Sequence, residues 1–323
     1  MNTTVNLWNC SNLLHPTAQK IGESFAFFLI FVVSLVGNTS IALIVYKTQS
    51  MRTPINYFIA NMAISDLMFP LLLVPREITW LYAAGSWLNS GPLGKTMCKV
   101  IPFLTNASML VSIQSLVLIA VDRLGGVLFP LRSPLISSKL CPFVIFITWI
   151  VAIAVKSPFL FSVKVVEYPR GQQACRWRWV EVFGDSSSED NYFLVVYITL
   201  IYTPLVLLII VYSILLIKLW SEKIPGDQSI STNAHSRRAK RNRDVSKMAV
   251  ATVLTFVLCW VPYSIVDSLL YFASGYDNNC SMVLILHIAL FMAFSNCAIN
   301  PIICFIFCSK YRQGFKRIFH CFD

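Results

Sequence analysis

Charge is missing from long stretches of this chain, and those stretches recur at regular intervals. Uncharged windows cover 24–46, 100–121, 140–155, 191–217, 248–266 and 278–309, and between Arg52 and Arg76 the only charge is Asp66. Each approaches or exceeds the roughly 20 residues needed to cross about 30 Å of hydrocarbon at about 1.5 Å per residue. A single large soluble core could also raise the mean hydropathy, but it would not need gaps of this length and spacing. The composition agrees. Of 323 residues 56% are hydrophobic and 13% charged, against roughly 45–50% and 25% in a soluble domain. The seven windows predict an all-α membrane protein, a seven-transmembrane helix bundle, with no room for an independent soluble domain.

An odd number of spans puts the termini on opposite faces, and Lys/Arg placement orients them. With the N-terminus outside, the alternate inner segments hold Lys47, Arg52, Arg123, Arg132, Lys139, eight bases from Lys218 to Lys247, and four from Lys310 to Arg317. That is 17 of the 26 Lys and Arg residues; the other nine face nine acids outside. The net charge of +11 therefore describes a cytoplasmic face suited to anionic lipid or an acidic protein surface, not a nucleic-acid groove. Residues 1–20 have no basic start and no apolar core, so no cleavable signal is expected and the first span serves as the anchor. Asn2, Asn9 and Asn279 then occupy glycosylation sequons outside.

Cysteine placement tests the same topology. Cys10, Cys98, Cys175 and Cys280 fall outside, where disulfides persist. Cys98 opens the third span and Cys175 sits mid-loop after the fourth, so a bridge would pin that loop over the helix ends; Cys10 with Cys280 is a possible second pair. The other six lie in the membrane or inside, where most read as small apolar core residues. Cys321, beyond an amphipathic basic stretch, is a candidate for palmitoylation.

Polar groups in hydrocarbon are costly, so each invites a functional hypothesis. Asp66 is the only acid in the middle of a span, with Asn38, Ser112, Asn296 and Asn300 available at similar depth. One carboxylate among hydroxyl and amide oxygens suits a hard monovalent cation with water; a neutral aspartic acid tying helices together is the structural alternative. Thr105, Ser112 and Arg123 are separated by close to two and three turns, so they share one face of the third span, and Thr105 to Arg123 covers about 27 Å. Pro262 removes the donor for the Leu258 carbonyl beside Trp260, and Pro204 and Pro301 do the same to Leu200 and Cys297. No metal or nucleophile constellation appears, so no enzymatic activity is expected.

These residues together resemble the rhodopsin-like G-protein-coupled receptors over about 22–320. Gly37-Asn38, Ala63-Ile64-Ser65-Asp66, Asp122-Arg123, Trp149, Pro204, the run Phe256 to Pro262, and Asn300-Pro301 occur in that family's order. The resemblance implies an extracellular N-terminus (1–20), a seven-transmembrane receptor domain (21–308), and an amphipathic helix with a short cytoplasmic tail (309–323), the helix lying along the membrane. It implies no cofactor beyond a possible structural sodium ion at Asp66, Ser112 and Asn296. It also implies a packing switch of Ile113, Pro204 and Phe256 beneath Trp260, and an Arg123 that is freed to meet the G protein. Two departures stand out: Asp122-Arg123-Leu124 in place of Asp-Arg-Tyr, and Cys304 in place of the tyrosine that meets the residue matched by Tyr212. Asn242 replaces an acid that some members use to hold the arginine, leaving Asp122 as its partner, with Asp244 weaker.

Thr105 and Phe294 stand where amine receptors carry an aspartate and opsins a lysine, which disfavours monoamines and retinal. The run Met97 to Phe103 after Trp87, and the long loop with Cys175, Trp177 and Trp179, look most like the neuropeptide branch near the RFamide, neuropeptide Y, galanin and orexin receptors. Ligand contacts are then expected at Thr105, Asn106, Met109, Trp260 and Tyr263, and at Ser264, Asp267, His287 and Leu290. Glu77 and Asp267 could pair with an arginine or amine of a peptide, or simply with local bases such as Arg76 and Arg178. The implied partners are an extracellular peptide, a heterotrimeric G protein, membrane lipid, and arrestin and receptor kinase through the serines of the 220–246 loop. The alternatives are a receptor of the same fold that is constitutively active or takes a non-peptide ligand, and an ion-coupled transporter. The transporter would need repeats, discontinuous helices or further mid-span acids.

Overall fold

The computed structural model describes residues 17–83, 87, 91–128, 136–168, 171–221, 233–272 and 280–320. Hydrocarbon offers no partner to a backbone amide, so each apolar stretch closes its hydrogen bonds internally as a helix. Seven helices are long and apolar enough to span a membrane. They are α1 (Thr17–Lys47), α2 (Pro54–Tyr82), α3 (Pro92–Leu128), α4 (Cys141–Lys156, continued by the short α5, Pro158–Ser162), a composite fifth span, α9 (Asn233–Phe272) and α10 (Cys280–Phe307). The fifth span joins α7 (Ser186–Val196) to α8 (Thr203–Ser221) through a π-helical turn at Tyr197–Tyr202. The first helix is already formed at Thr17, ahead of the boundary expected at residue 21. Asn2, Asn9, Cys10, Asn279 and Cys321, and the side chains of Asn242, Asp244 and Cys280, lie outside the described residues.

The interior packs aliphatic and aromatic side chains around a set of buried polar groups, while large apolar side chains such as Phe143, Phe146, Leu258 and Ile306 face outward. Apolar surfaces on both sides suit a solvent of lipid tails, where outward leucines cost nothing and helix contact comes from close packing and interhelical hydrogen bonds. The helices α1 and α10 come close enough that a Cβ on Gly37 would lie 2.6 Å from the Pro301 ring. Here glycine is required by space, not by backbone conformation.

Each helical proline leaves a carbonyl to satisfy, and one is met in a definite way: Pro301 strips Cys297 of its donor, and Asn38 Nδ2 supplies one at 2.9 Å. A widened turn precedes Pro204, and within it both the amide and Oγ1 of Thr203 donate to the Ile198 carbonyl, the hydroxyl at 2.7 Å. The helix α9 runs on through Pro262.

A two-stranded antiparallel hairpin, β1 (Val163–Tyr168) with β2 (Gln172–Trp177), follows the fourth span. Sequence reading had this segment as loop. Gly171, at φ 73°, supports the turn in a region that favours glycine. Cys175, paired opposite Val165, is bonded to Cys98 near the start of α3, so the expected bridge is present and the hairpin lies across the helix ends. A short helix α6 (Val180–Phe183) leads into the fifth span, which opens with Asp185 capping the Ser187 and Ser188 amides.

At the opposite end α11 (Ser309–His320) turns off the seventh span. Tyr311 is fully buried, and its hydroxyl donates to Asn56 Oδ1 at 3.1 Å; burial pushes its phenol well above the usual tyrosine range. Gly314 lets the helix lie close to Ile44.

Replacing Gly37 by Ala is expected to destabilise the bundle by about 1–3 kcal/mol through overpacking, seen as a lower thermal unfolding midpoint in nanodiscs. Gly22→Ala, with open space around the new methyl, should be neutral or slightly stabilising.

Candidate functional site

Asp66 stands at mid-bundle, 3% exposed. Asn300 Nδ2 donates to its Oδ2 at 2.7 Å and Ser112 Oγ to its Oδ1 at 3.3 Å. Asn38 does not reach the carboxylate: its amide is taken by the Cys297 carbonyl and Ser34 Oγ, because the proline-freed carbonyl needs a donor more. Asn296 Oδ1 and Asn300 Oδ1 are buried without a partner in the structure. A small cavity lies between Asp66, Ser112, Asn296, Ser108, Met109 and the indole of Trp260. A carboxylate with a hydroxyl and an unmet amide oxygen around one cavity is a donor set that fits a small monovalent cation or water.

Trp260 forms the cavity's roof. Its ring meets Phe69 edge-on at 5.5 Å and lies tilted to Phe256 at 6.1 Å, with Ile113 buried nearby in the same core. Further along α3, Asp122 and Arg123 form an ion pair, Asp122 being buried. Arg123 Nε and the Tyr212 hydroxyl are buried with no hydrogen-bond partner. Cys304 is buried beside an apolar cavity lined by Ile59, Met62, Leu116, Met248 and Thr252, and its side chain cannot reach out as a tyrosine would. A separate polar tie fixes α2, α3 and α4: Trp149 Nε1 donates to Asn61 Oδ1 at 2.9 Å, and Asn61 Nδ2 to Ser115 Oγ at 2.9 Å.

At the disulfide end the acids have partners from the protein itself. Glu77, buried, pairs with Arg76 at 3.5 Å. Asp267 accepts from the Tyr197 hydroxyl and feels the charge of Lys156. Arg178, considered from sequence as a partner for these acids, pairs instead with Glu181 at 3.6 Å, one helical turn along its own segment. Thr105 and Asn106 turn their donors back to α3 carbonyls at 2.7 and 2.9 Å, which leaves the Asn106 carbonyl oxygen for other groups. Ser264 is buried, and its carbonyl accepts from Tyr202 at 3.3 Å. His287 packs on Trp80 and lies 3.2 Å from Glu23, so it belongs to the rim where α1, α2 and α10 meet. Tyr263 and Leu290 are half-buried against the core, and the Tyr263 ring meets Trp260 edge-on at 6.0 Å.

Sequence reading missed an aromatic run that locks the hairpin to the fifth span. Phe159, Trp177, Phe193, Tyr197 and Tyr202 follow one another at centroid separations of 4.7, 5.4, 6.2 and 6.0 Å. The Trp177 and Trp179 indoles donate to Glu189 and Ser188 at the start of that span. The spacing of these residues carries no period that would have marked them. Lys156, one of the nine bases that the charge count places outside, is also buried here.

Residues 37–304 match the model of the seven-transmembrane receptor, rhodopsin family, and the chain belongs to that family of G-protein-coupled receptors, multi-pass proteins of the plasma membrane. It is 30% identical over 306 residues to a RYamide receptor from Drosophila melanogaster, covering 93% of this chain and 64% of that one. It is 28% identical over 315 residues to a QRFP-like peptide receptor from Branchiostoma floridae, covering 95% and 80%. A Substance-K receptor from Homo sapiens is 31% identical over 313 residues, covering 95% and 74%.

The Cys98–Cys175 bridge closes a loop of 77 residues and holds the hairpin over the helix ends. Its removal by Cys98→Ser with Cys175→Ser is expected to cost about 2–4 kcal/mol, read as a lower unfolding midpoint, while reducing agent shifts the wild type in the same direction.

Proposed function

We propose that this chain is a receptor for an extracellular peptide, with the disulfide end outside and the Arg123 end facing the cytoplasm and a heterotrimeric G protein. The observation that carries the reading is a column of packed residues that runs from Tyr263 through Trp260 to Phe256 and the Asp66 cavity, with the Asp122–Arg123 pair further along α3 toward the other end of the bundle. The excess of Lys and Arg on the Arg123 side supports the orientation. The names of the three relatives support a peptide as ligand, and the half-buried Asn106 and Asp267 side chains toward the disulfide end offer polar groups to one.

Activation is a shift between two packings of this column. Ligand contact above Trp260 favours a packing in which α9 moves away from α3, and the Asp122–Arg123 pair gives way to contact with the G protein. The basic 220–246 loop and the α11 helix are the segments for anionic lipid, with Cys321 as a lipid attachment point. The loop's serines are the place for receptor-kinase and arrestin contact. Agonist-dependent nucleotide exchange on purified G protein is the direct test; solute or ion flux without exchange would overturn the reading in favour of a transporter. Asp122→Asn, which removes the ion pair that holds Arg123, is expected to raise basal exchange several-fold.

Asp66, Ser112 and Asn296 would hold a sodium ion, which supplies a positive charge that keeps the carboxylate ionised in hydrocarbon. The unmet Asn296 oxygen in the same cavity supports this assignment. The wild type is then expected to unfold at a higher temperature in sodium chloride than in choline chloride, and Asp66→Asn to show no difference between the two salts.

A further inference from the structure

We propose that the short helix α6 (Val180–Phe183) anchors the loop in the membrane. Its apolar side sits in the interface of the leaflet on the disulfide side, between the headgroups and acyl chains of zwitterionic phospholipid. The contact is independent of which ligand or G protein the receptor takes. Val180 and Phe183 are 50% and 45% exposed. Three residues apart in one helical turn, they share a side. Phe161 near the end of α5, the helix that packs beside α6, is 58% exposed.

What covers this side follows from its depth. The Tyr192 hydroxyl donates to the Val155 carbonyl at 2.9 Å. Val155 follows Cys141, the first residue of α4, by 14 residues, a climb of about 21 Å through about 30 Å of hydrocarbon. Trp179 lies on the Tyr192 ring at 5.1 Å, and Phe183 lies on Trp179 at 4.2 Å. The Trp179 indole donates to Ser188 in the fifth span, and the Arg178 amide donates to the Ser162 carbonyl that ends α5. These contacts pin α6 between the outer ends of the fourth and fifth spans, at the level where tryptophan and tyrosine collect in membrane proteins. Below it both spans turn large apolar side chains outward, Ile150 and Ile153 on one and Leu194 and Ile198 on the other. The exposed side of α6 continues that lipid-facing surface upward.

The polar side of the segment fits the headgroups. Glu181 pairs with Lys164 at 3.2 Å and with Arg178 at 3.6 Å. With Asp185 the four charges sum to zero, which suits a zwitterionic surface and gives no preference for an anionic one. Trp179 also stacks on Trp177 at 5.7 Å, the ring that leads through Phe193 to Tyr197 and so to Asp267. One end of the loop is thus held by the Cys98–Cys175 bridge and the other by the bilayer.

The test places 4-trifluoromethylphenylalanine at Phe183 of the full chain, in phosphatidylcholine nanodiscs holding one copy each. Fluorine relaxation is read with a water-soluble gadolinium chelate and, separately, with a phosphatidylcholine carrying a nitroxide near the glycerol end of its acyl chain. The same probe at Phe146, facing outward from mid-span, and at Glu167, exposed on the hairpin, gives the lipid and water references. For an apolar side about 5–10 Å below the water boundary, gadolinium enhancement at Phe183 is expected to fall at least about threefold below that at Glu167, and nitroxide enhancement to exceed it by a similar factor. Water-like relaxation at Phe183 alone overturns the anchor; water-like relaxation at Phe146 as well overturns the span assignment with it. Weak enhancement at Phe183 from both reagents means that protein covers the site, and overturns the proposal. So does shielding that appears only in discs holding two copies, which makes this side a contact between receptors. Should the substituted chain not fold, the wild type in discs of a phosphatidylcholine with a diazirine in the same acyl position is irradiated and digested. Lipid adducts on residues 180–183 are expected, and their absence overturns the assignment.

Discussion

A membrane interior supplies no hydrogen-bond partner, so every polar group in this bundle must find one within the protein or be left unmet. That constraint explains the helices and most of the contacts between them. The Cys297 carbonyl freed by Pro301 is met by Asn38 from the first span, and the same two helices press Gly37 against the proline ring. Trp149, Asn61 and Ser115 tie three helices through one amide. Asp66 joins the second span to the third and seventh.

Some of the groups left unmet are as informative as the ties. Among the described residues Trp260 Nε1, Asn296 Oδ1, Asn300 Oδ1, the Tyr212 hydroxyl and Arg123 Nε, half of the buried atoms without a partner, lie in the interior between Trp260 and the Asp122–Arg123 pair. Each buried unmet group costs about 1–3 kcal/mol. A packing that satisfies some of them, with an ion, water or another rotamer, therefore differs from this one by amounts that a ligand can supply.

The disulfide end is held more firmly. A covalent bridge, a hairpin and a chain of stacked rings fix the loop to the third and fifth spans, so the pocket wall is set before a ligand arrives. The acids there are matched by Arg76 and by the charge of Lys156.

Much of this was legible from residue order. The uncharged windows gave seven spans within a few residues, the Lys/Arg bias suggested an orientation, and Asp66, Trp260 and Asp122-Arg123 marked the interior. Ser112 and Asn300 meet Asp66 as their depth suggested, whereas Asn38, at equal depth, is drawn to a carbonyl. Hydropathy adds up along the chain and depends little on neighbours in space, so the sequence by itself determined the spans and the residues that cannot face lipid. The partner each polar side chain takes depends on how far each helix is rotated and where its neighbours stand. Only the tertiary structure decided that Glu77 belongs to Arg76, that Tyr197 holds Asp267, and that Lys156 is buried at the end of the fourth span.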